Sequence, residues 1–283
     1  MTPSDFHLLR NLYLGCAGCM AVALLASPWL QRRAALAPDT EPDGGRLAFL
    51  DGWIVLLLVL VTGLGYIAEV PAAGAAQAAP PQAAIKTVHL LAGMMLQLQA
   101  GACLWFYLRL VRNLRPQDFF GLRKLGGPPV IRTSIVSLVL TYAGMQAAMW
   151  LVQALLMNGP MPRESDQQMV QALVHHPDAS FQIAAFCAAG IVAPVAEELI
   201  YRGMIYGILR RKAGNAFAMV ATSLIFALAH QSLQTFVPLF VFSLGLCIAY
   251  NRSRSLLVPM AMHAMFNGWN FAGIALSAHG LRD

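Results

Sequence analysis

The chain has 283 residues, of which 58% are hydrophobic and only 11% are charged, and its formal net charge at pH 7 is +6. Because a soluble domain carries about 25% charged residues, this composition excludes an ordinary soluble protein and indicates a polytopic membrane protein. The sequence contains no basic tract and no glycine-rich phosphate loop, so nucleic acid is not an expected partner. The positive charge is instead expected in loops that set membrane orientation.

Apolar segments long enough to cross a bilayer predict an all-α, polytopic membrane helical bundle of about eight transmembrane helices. The first segment is expected to be an uncleaved helix, because its apolar run is too long for a signal peptide and its stronger positive flank follows it. A short, uncharged break at 231–234 predicts an antiparallel hairpin between spans six and seven. In chain order, the predicted spans are 12–30, 47–68, 87–110, 130–157, 181–209, 217–229, 236–250 and 256–276.

Basic residues fall in every second predicted loop, namely those after spans one, three, five and seven. The positive-inside rule therefore predicts that these loops are cytoplasmic and that both termini lie outside. An Ala- and Pro-rich stretch at 70–84 and a polar stretch at 163–178 are expected to be loops. Residues 1–125 are expected to hold spans one to three and a basic loop without a motif, and residues 126–283 a core of spans four to eight. The Ala-rich, Arg-preferring composition indicates a multi-pass protein of a bacterial inner membrane.

All five cysteines lie in apolar stretches, where a free cysteine behaves as a small buried hydrophobe. The first two have a C-x-x-C spacing, but one helical turn inside a lipid-embedded span is a poor place for a redox loop. We therefore expect no disulfide framework among Cys16, Cys19, Cys103, Cys187 and Cys247.

Two adjacent carboxylates, Glu197 and Glu198, lie within the fifth predicted span. Adjacent helical residues point about 100° apart, so the two are not expected to share one face of the helix. Glu198 and Arg202 are spaced i,i+4 and are expected to pair. This leaves Glu197 without a local partner and makes it a candidate general base. The alternative is that both carboxylates are helix-end residues held by Arg202 and Arg210.

Three further polar residues lie on the late spans. His230 ends the sixth span, where a lone histidine is more often structural or interfacial. With the basic loops inside, it is expected nearer the outer surface than Glu197, unless tilted or broken helices remove the difference in depth. His263 and Asn267 are spaced i,i+4 in the eighth span, so they share a face. Neutral histidine and asparagine can both donate hydrogen bonds, which suits an oxyanion, although polar residues also hold membrane helices together.

The order of these motifs carries a family resemblance. E-E-x-x-x-R, F-x-x-x-H and H-x-x-x-N follow one another on consecutive late spans, beginning at Glu197, Phe226 and His263. This order resembles the CPBP family of intramembrane glutamic endopeptidases, also called the abortive-infection family. The family includes CaaX prenyl endopeptidases and bacteriocin-processing or self-immunity proteins. The resemblance covers about residues 181–275, and spans one to three contain no assignable motif.

The resemblance implies a role for each matching position. Glu197 is implied to be the base that activates water, and His230 to orient that water. His263 and Asn267 are implied to stabilise the tetrahedral oxyanion. Glu198 and Arg202 are implied to support the site as a pair. Phe226 is interpreted as a packing residue. No covalent nucleophile and no cofactor is expected.

Three interpretations other than a metal-free peptidase remain open: a zinc site, a non-catalytic scaffold and a carrier. A glutamate with two histidines also resembles a zinc set, although the chain has no H-E-x-x-H motif and the resemblance favours a metal-free site. The leading function is hydrolysis of a peptide bond in a membrane-embedded or membrane-associated substrate within the lipid bilayer. The first alternative is a non-catalytic scaffold or immunity-type protein. The second is a proton or solute carrier with Glu197 and the histidines as its relay, although no internal repeat is visible.

Overall fold

The computed structural model describes residues 87–156, 179–230 and 232–280. Every regular element within these ranges is helical, which confirms the all-α class. The spans expected at 12–30 and 47–68 lie outside the described residues, as do both predicted loops. The count of eight transmembrane helices is therefore not confirmed, and the division at residue 125 stays a prediction.

The helices of the described ranges follow the predicted spans closely. Each of the six spans predicted from residue 87 onward corresponds to one helix, and a short helix lies between the first two. A π-helical turn, Tyr107–Val111, extends the first helix. The helices are α1 Thr87–Phe106, α2 Pro116–Phe119, α3 Gly127–Leu156, α4 Ala179–Ala213, α5 Asn215–Ala229, α6 Leu233–Ser253 and α7 Leu257–Gly280.

Three of these helices are long and apolar enough to cross a membrane. They contain the stretches Gly127–Ala154, Ala179–Ala213 and Thr235–Ser253. The 35 residues of α4 exceed the roughly 20 that span a bilayer. Such a helix must tilt, or extend beyond the hydrocarbon region.

The central helix α4 changes its winding twice. Two π-helical stretches, Ala188–Val192 and Leu199–Tyr206, interrupt its α-helical hydrogen bonding. All eight residues of the second stretch are buried, so this part of α4 lies inside the bundle. Single π-helical turns inside α-helices frequently occur at functional sites. The second stretch begins directly after Glu198.

The bundle core surrounds the second half of α4. The buried apolar core contains residues of α1, α3, α4, α5, α6 and α7. Helix α6 packs against α3, α5 and α7, and α1 packs against α4. A glycine permits the close approach of α6 and α3, because a Cβ at Gly245 would collide with the side chain of Thr141. Small residues at helix contacts are typical of membrane bundles, where close packing drives association.

A tight turn at Gly214 joins α4 to α5. Its φ of 87° lies in the region that glycine adopts most readily. Glu197 lies seventeen residues before this turn and His230 sixteen residues after it. The two residues are therefore almost equally far from the turn along the chain. Their relative depth in the membrane stays a prediction.

The basic connections gather at one end of the bundle. The backbone N–H of Leu256, in the α6–α7 turn, donates to the carbonyl of Phe120, in the connection from α1 to α3, at 3.0 Å. At the same end, the rings of Tyr206 and Tyr250 lie 6.0 Å apart between centroids. This grouping agrees with the alternation of basic loops in the sequence. The membrane face that this end meets stays a prediction.

The cysteines of the described residues are free thiols: Cys103, Cys187 and Cys247. The expectation for Cys16 and Cys19 lies outside the described residues.

Candidate active site

The site is built around the buried carboxylate of Glu198. Its Oε1 accepts a hydrogen bond from Nη1 of Arg202 at 2.9 Å, which confirms the predicted i,i+4 pair. The same oxygen lies 2.9 Å from Nδ1 of His263 on α7. Both Glu198 and Arg202 have fully buried side chains. A buried charge is tolerated when it is paired and hydrogen-bonded, and Glu198 meets both conditions.

The guanidinium of Arg202 connects α4 to α6 and α5. Its Nη2 donates to the hydroxyl of Ser243 at 2.7 Å and to the carbonyl of the same residue at 3.3 Å. Its central carbon lies 4.6 Å from the centroid of the Phe226 ring, a cation–π distance. Arg202 is therefore held by a carboxylate, a hydroxyl and an aromatic face. Arg210, the second residue of the alternative interpretation, lies over the ring of Tyr206.

One imidazole contacts both carboxylates of the first motif. Nδ1 of His263 lies 2.9 Å from Oε1 of Glu198, and Nε2 of the same ring lies 4.0 Å from Oε2 of Glu197. The prediction that the two carboxylates do not share one face of the helix is compatible with these contacts. Their directions on α4 differ, but a ring that enters from α7 presents one nitrogen to each of them.

The partners of His263 determine its tautomer. An ionised carboxylate only accepts hydrogen bonds, so the hydrogen between Glu198 and His263 belongs to Nδ1 of the ring. In the neutral ring, Nε2 then carries a lone pair and faces Glu197. This differs from the expected role of His263, in which the neutral ring donates to an oxyanion. In this tautomer the nitrogen nearest Glu197 accepts a hydrogen bond.

Glu197 has the environment expected of a free base. Its side chain is 22% exposed, whereas that of Glu198 is fully buried. Oε2 of Glu197 is buried and has no hydrogen-bond partner, and the same holds for Oε2 of Glu198. The two carboxylates differ because Oε1 of Glu198 is bound by Arg202 and His263. A buried acceptor without a partner is rare in proteins and needs an explanation, such as a catalytic role. The prediction that Glu197 lacks a local partner agrees with this geometry.

His230 lies beside the same aromatic residue as His263. Its Nδ1 lies 2.8 Å from the carbonyl oxygen of Phe226. A carbonyl only accepts, so Nδ1 carries the hydrogen and Nε2 presents a lone pair in the neutral ring. The centroid of the Phe226 ring lies 4.7 Å from that of His230 and 5.8 Å from that of His263. Phe226 is fully buried and packs against both imidazoles, in agreement with its interpretation as a packing residue.

Asn267 lies one helical turn after His263 and binds the backbone of α4. Its Nδ2 donates to the carbonyl of Ala189 at 2.7 Å. Ala189 belongs to the first π-helical stretch, Ala188–Val192. This bond uses one of the two amide hydrogens and leaves the other for a further acceptor. The structure thus places His263 and His230 beside Phe226 and Glu197 beside His263, whereas Asn267 binds the carbonyl of Ala189 on α4.

Sequence reasoning missed two contributors on α6. Ser243 belongs to no motif, and its only signal was a hydroxyl inside an apolar span. The ring of Phe242 lies 5.4 Å from that of His263 in an edge-to-face arrangement and 4.3 Å from that of Phe266. Phe242 and Phe226 therefore both pack against the His263 ring.

Ligands for a metal do not converge in this part of the chain. Among the described residues, no three His, Cys, Asp or Glu side chains are grouped so that they could hold a metal ion. Metal independence of the reaction stays a prediction.

A family model describes the segment that carries all of these side chains. Residues 179–269 match the model of the type II CAAX prenyl endopeptidases, Rce1-like. This segment comprises α4, α5, α6 and the first half of α7. This segment is therefore similar to that family, which agrees with the CPBP resemblance of its motifs. The chain is a multi-pass integral membrane protein.

Two curated relatives match part of the chain. The putative membrane peptidase YdiL of Bacillus subtilis is 32% identical over 79 residues, which cover 28% of this chain and 32% of that protein. The membrane-embedded CAAX protease MroQ of Staphylococcus aureus is 34% identical over 87 residues, which cover 28% of this chain and 34% of that protein. The matched region thus spans about a third of each relative. No solved structure gives a significant match.

Proposed function

We propose that this protein is an intramembrane endopeptidase in which Glu197 activates water to hydrolyse a peptide bond of a membrane-associated substrate. One observation carries the proposal: Oε2 of Glu197 is buried without a hydrogen-bond partner, 4.0 Å from Nε2 of His263. The match of residues 179–269 to the model of a peptidase family supports the same reaction class. Catalysis by a glutamate, without metal, is part of the proposal.

The space between the two residues suits a water molecule. An oxygen at about 2.8 Å from both atoms fits their 4.0 Å separation, with roughly 90° between its two hydrogen bonds. The water then donates one hydrogen to Glu197 and the other to the lone pair of His263. Its own lone pairs remain for the substrate carbonyl. The motif resemblance gives the orienting role to His230, but the distance to Glu197 favours His263.

The reaction follows from this arrangement. Glu197 takes one proton from the water as the water oxygen forms a bond to the carbonyl carbon, and the carbonyl electrons move onto the oxygen. We assign the second amide hydrogen of Asn267 to that oxyanion, a type of donor that acts most strongly where water is excluded. The carbon–nitrogen bond then breaks. The proton on Glu197 passes to the leaving nitrogen, which restores the carboxylate.

The remaining groups prepare the site. Glu198 and Arg202 fix the ring of His263 and never meet the substrate. His230 also presents an accepting nitrogen, so we assign it to a peptide N–H of the bound substrate. The names of the family and of MroQ refer to CAAX substrates. For this chain the proposed substrate is a peptide segment held at or within the bilayer.

The test is comparative proteomics of membrane and secreted fractions from cells that carry the wild-type protein or the Glu197→Gln variant. A peptidase predicts shortened peptides that disappear in the variant. Asp118→Asn is the matched control, because it makes the same chemical change at an exposed carboxylate on α2. Identical peptide patterns for the wild type and Glu197→Gln would favour the scaffold interpretation. Cleaved peptides that persist in Glu197→Gln would assign the base to another residue.

A further inference from the structure

A serine outside the three motifs lies at the far end of the polar chain that reaches His263. Ser243 lies in the middle of α6 and is fully buried. Its hydroxyl accepts a hydrogen bond from Nη2 of Arg202 at 2.7 Å. Its carbonyl lies 3.3 Å from the same nitrogen, which is a long hydrogen bond. The hydroxyl is therefore the stronger of the two contacts that α6 makes with Arg202.

The contacts continue without a gap to His263. Arg202 donates to Oε1 of Glu198, and the same oxygen accepts the hydrogen of Nδ1 of His263, both at 2.9 Å. The chain of residues is thus Ser243, Arg202, Glu198 and His263, and it crosses three helices. All four side chains are at most 4% exposed, so no water competes for these bonds. Charge-assisted hydrogen bonds of this kind are shorter and stronger than neutral ones.

We propose that Ser243 is a positioning residue that, through Arg202 and Glu198, fixes the tautomer and ring orientation of His263. The physical reason is that the two terminal nitrogens of the guanidinium bind different partners. Nη1 binds Glu198 and Nη2 binds Ser243, so the hydroxyl sets where Nη1 meets the carboxylate. The carboxylate in turn places its Oε1 for the ring. Groups that orient a histidine from behind typically change activity by about 10–100-fold in metal sites, where the histidine is a ligand.

Loss of the hydroxyl has a defined consequence. In Ser243→Ala, Nη2 of Arg202 loses the hydroxyl at 2.7 Å and keeps the carbonyl at 3.3 Å. The guanidinium then shifts toward that carbonyl and turns Oε1 of Glu198 away from His263. The ring loses its fixed acceptor at Nδ1, and the hydrogen redistributes between its two nitrogens. A second tautomer therefore becomes populated, although no residue that contacts the substrate has changed.

The experiment is nitrogen-15 NMR on full-length protein in detergent micelles, with labelled histidine, because ring nitrogens that carry a hydrogen resonate far from those with a lone pair. The His263 signals are assigned by their absence in His263→Gln. The wild type is expected to show a hydrogen on Nδ1 alone. Ser243→Ala is expected to show both tautomers or exchange broadening, and Ser243→Thr, which retains a hydroxyl, to restore the single form.

Ser134→Ala is the matched control. Ser134 is also a fully buried serine, and its hydroxyl donates to the carbonyls of Val130 at 2.8 Å and Val258 at 3.0 Å, away from the chain. It should leave the His263 signals unchanged. If Ser243→Ala does not fold, Ser243→Cys tests the same point, since it keeps the volume and replaces the hydroxyl by a weak acceptor.

The catalytic part of this inference rests on the proposed function. In the proposed peptidase reaction, Ser243→Ala is expected to lower kcat about tenfold or more with KM unchanged, within the usual range for residues that orient a histidine. A folded Ser243 variant with wild-type His263 signals overturns the inference. Normal cleavage by Glu197→Gln combined with altered His263 signals in Ser243→Ala rejects the proposed function and retains the positioning chain.

Discussion

Nε2 of His263 lies 4.0 Å from the carboxylate of Glu197, while Nδ1 of the same ring is bound to Oε1 of Glu198. A ring with one nitrogen committed has only one tautomer in its neutral form, so the chemistry available at Nε2 is fixed in advance. Fixed polar groups need no reorganisation during the reaction, which is the main source of electrostatic catalysis. The pair thus combines Glu197, whose Oε2 has no hydrogen-bond partner, with Nε2 of His263, an acceptor on a ring that is held in one orientation.

Glu197→Gln is expected to abolish peptide cleavage while the protein stays folded. The amide keeps the size of the side chain but cannot take a proton from water. A lost general base typically costs about 10²–10⁴-fold in rate. The measurement is cleavage of a peptide identified by the proteomic comparison, with purified protein in detergent. Asp118→Asn should cleave at the wild-type rate, and a Glu197→Gln protein of unchanged activity would remove Glu197 from the mechanism.

Glu198→Gln is expected to act chiefly on stability. The change removes the charge that holds Arg202, and breaking a buried pair by removing one partner costs about 3–5 kcal/mol. Thermal unfolding should therefore occur at a clearly lower temperature than in Glu197→Gln, whose carboxylate has no salt bridge with Arg202. Activity per folded molecule should fall only in part. A well-folded but inactive Glu198→Gln, beside an active Glu197→Gln, would reverse the two assignments.

Much of the helical framework was predictable from sequence. Runs of about twenty apolar residues have few alternatives in a bilayer, because backbone groups in lipid must be satisfied within the helix. The pair of Glu198 and Arg202 was predictable for a similar reason, since an i,i+4 spacing on one helix fixes their proximity. The helix ends were less certain. Ala213 and Asn215 belong to α4 and α5 and lie beyond the limits predicted at 209 and 217.

The contact of His263 with both carboxylates was not predictable. It depends on how α7 crosses α4, and spacing within either helix says nothing about that crossing. The role of Ser243 was hidden for the same reason, because its partner lies on another helix. The π-helical stretches were not predictable either, because no recognised sequence pattern marks them. One of them, Leu199–Tyr206, changes the helical winding directly after Glu198.

Cleavage is expected to be independent of metal ions. The motivation is a single carboxylate without a partner beside an imidazole whose second nitrogen is committed to Glu198. Purified protein should retain full activity in an excess of chelator. The control adds zinc back after chelation. Activity that disappears with chelator and returns with zinc would instead support a metallopeptidase, in which water is activated by the ion.

The close contact of α6 and α3 gives a prediction about the fold. Gly245→Ala should destabilise the protein, because the new methyl group would collide with Thr141, and overpacking typically costs about 1–3 kcal/mol. Gly207→Ala is the matched control on α4, where a Cβ meets nothing within 4 Å. That change should be neutral or stabilise by up to about 1 kcal/mol through helix propensity. Thermal unfolding of both variants in the same detergent measures the difference, and equal unfolding temperatures would contradict the packing of α6 on α3.

Asn267→Ala is expected to lower kcat by about 10²–10³-fold, the usual cost of one oxyanion donor. The side chain also donates to the carbonyl of Ala189 at 2.7 Å, so the variant could instead act by loosening α7 from α4. The two effects are separable. Loss of a donor lowers kcat with little change in the unfolding temperature, whereas loss of the helix contact lowers the unfolding temperature. Ala189 uses its backbone carbonyl, so Ala189→Ser leaves that acceptor in place and serves as the control for changes near the contact. An Asn267→Ala protein with normal kcat and a lower unfolding temperature would assign this asparagine to helix packing alone.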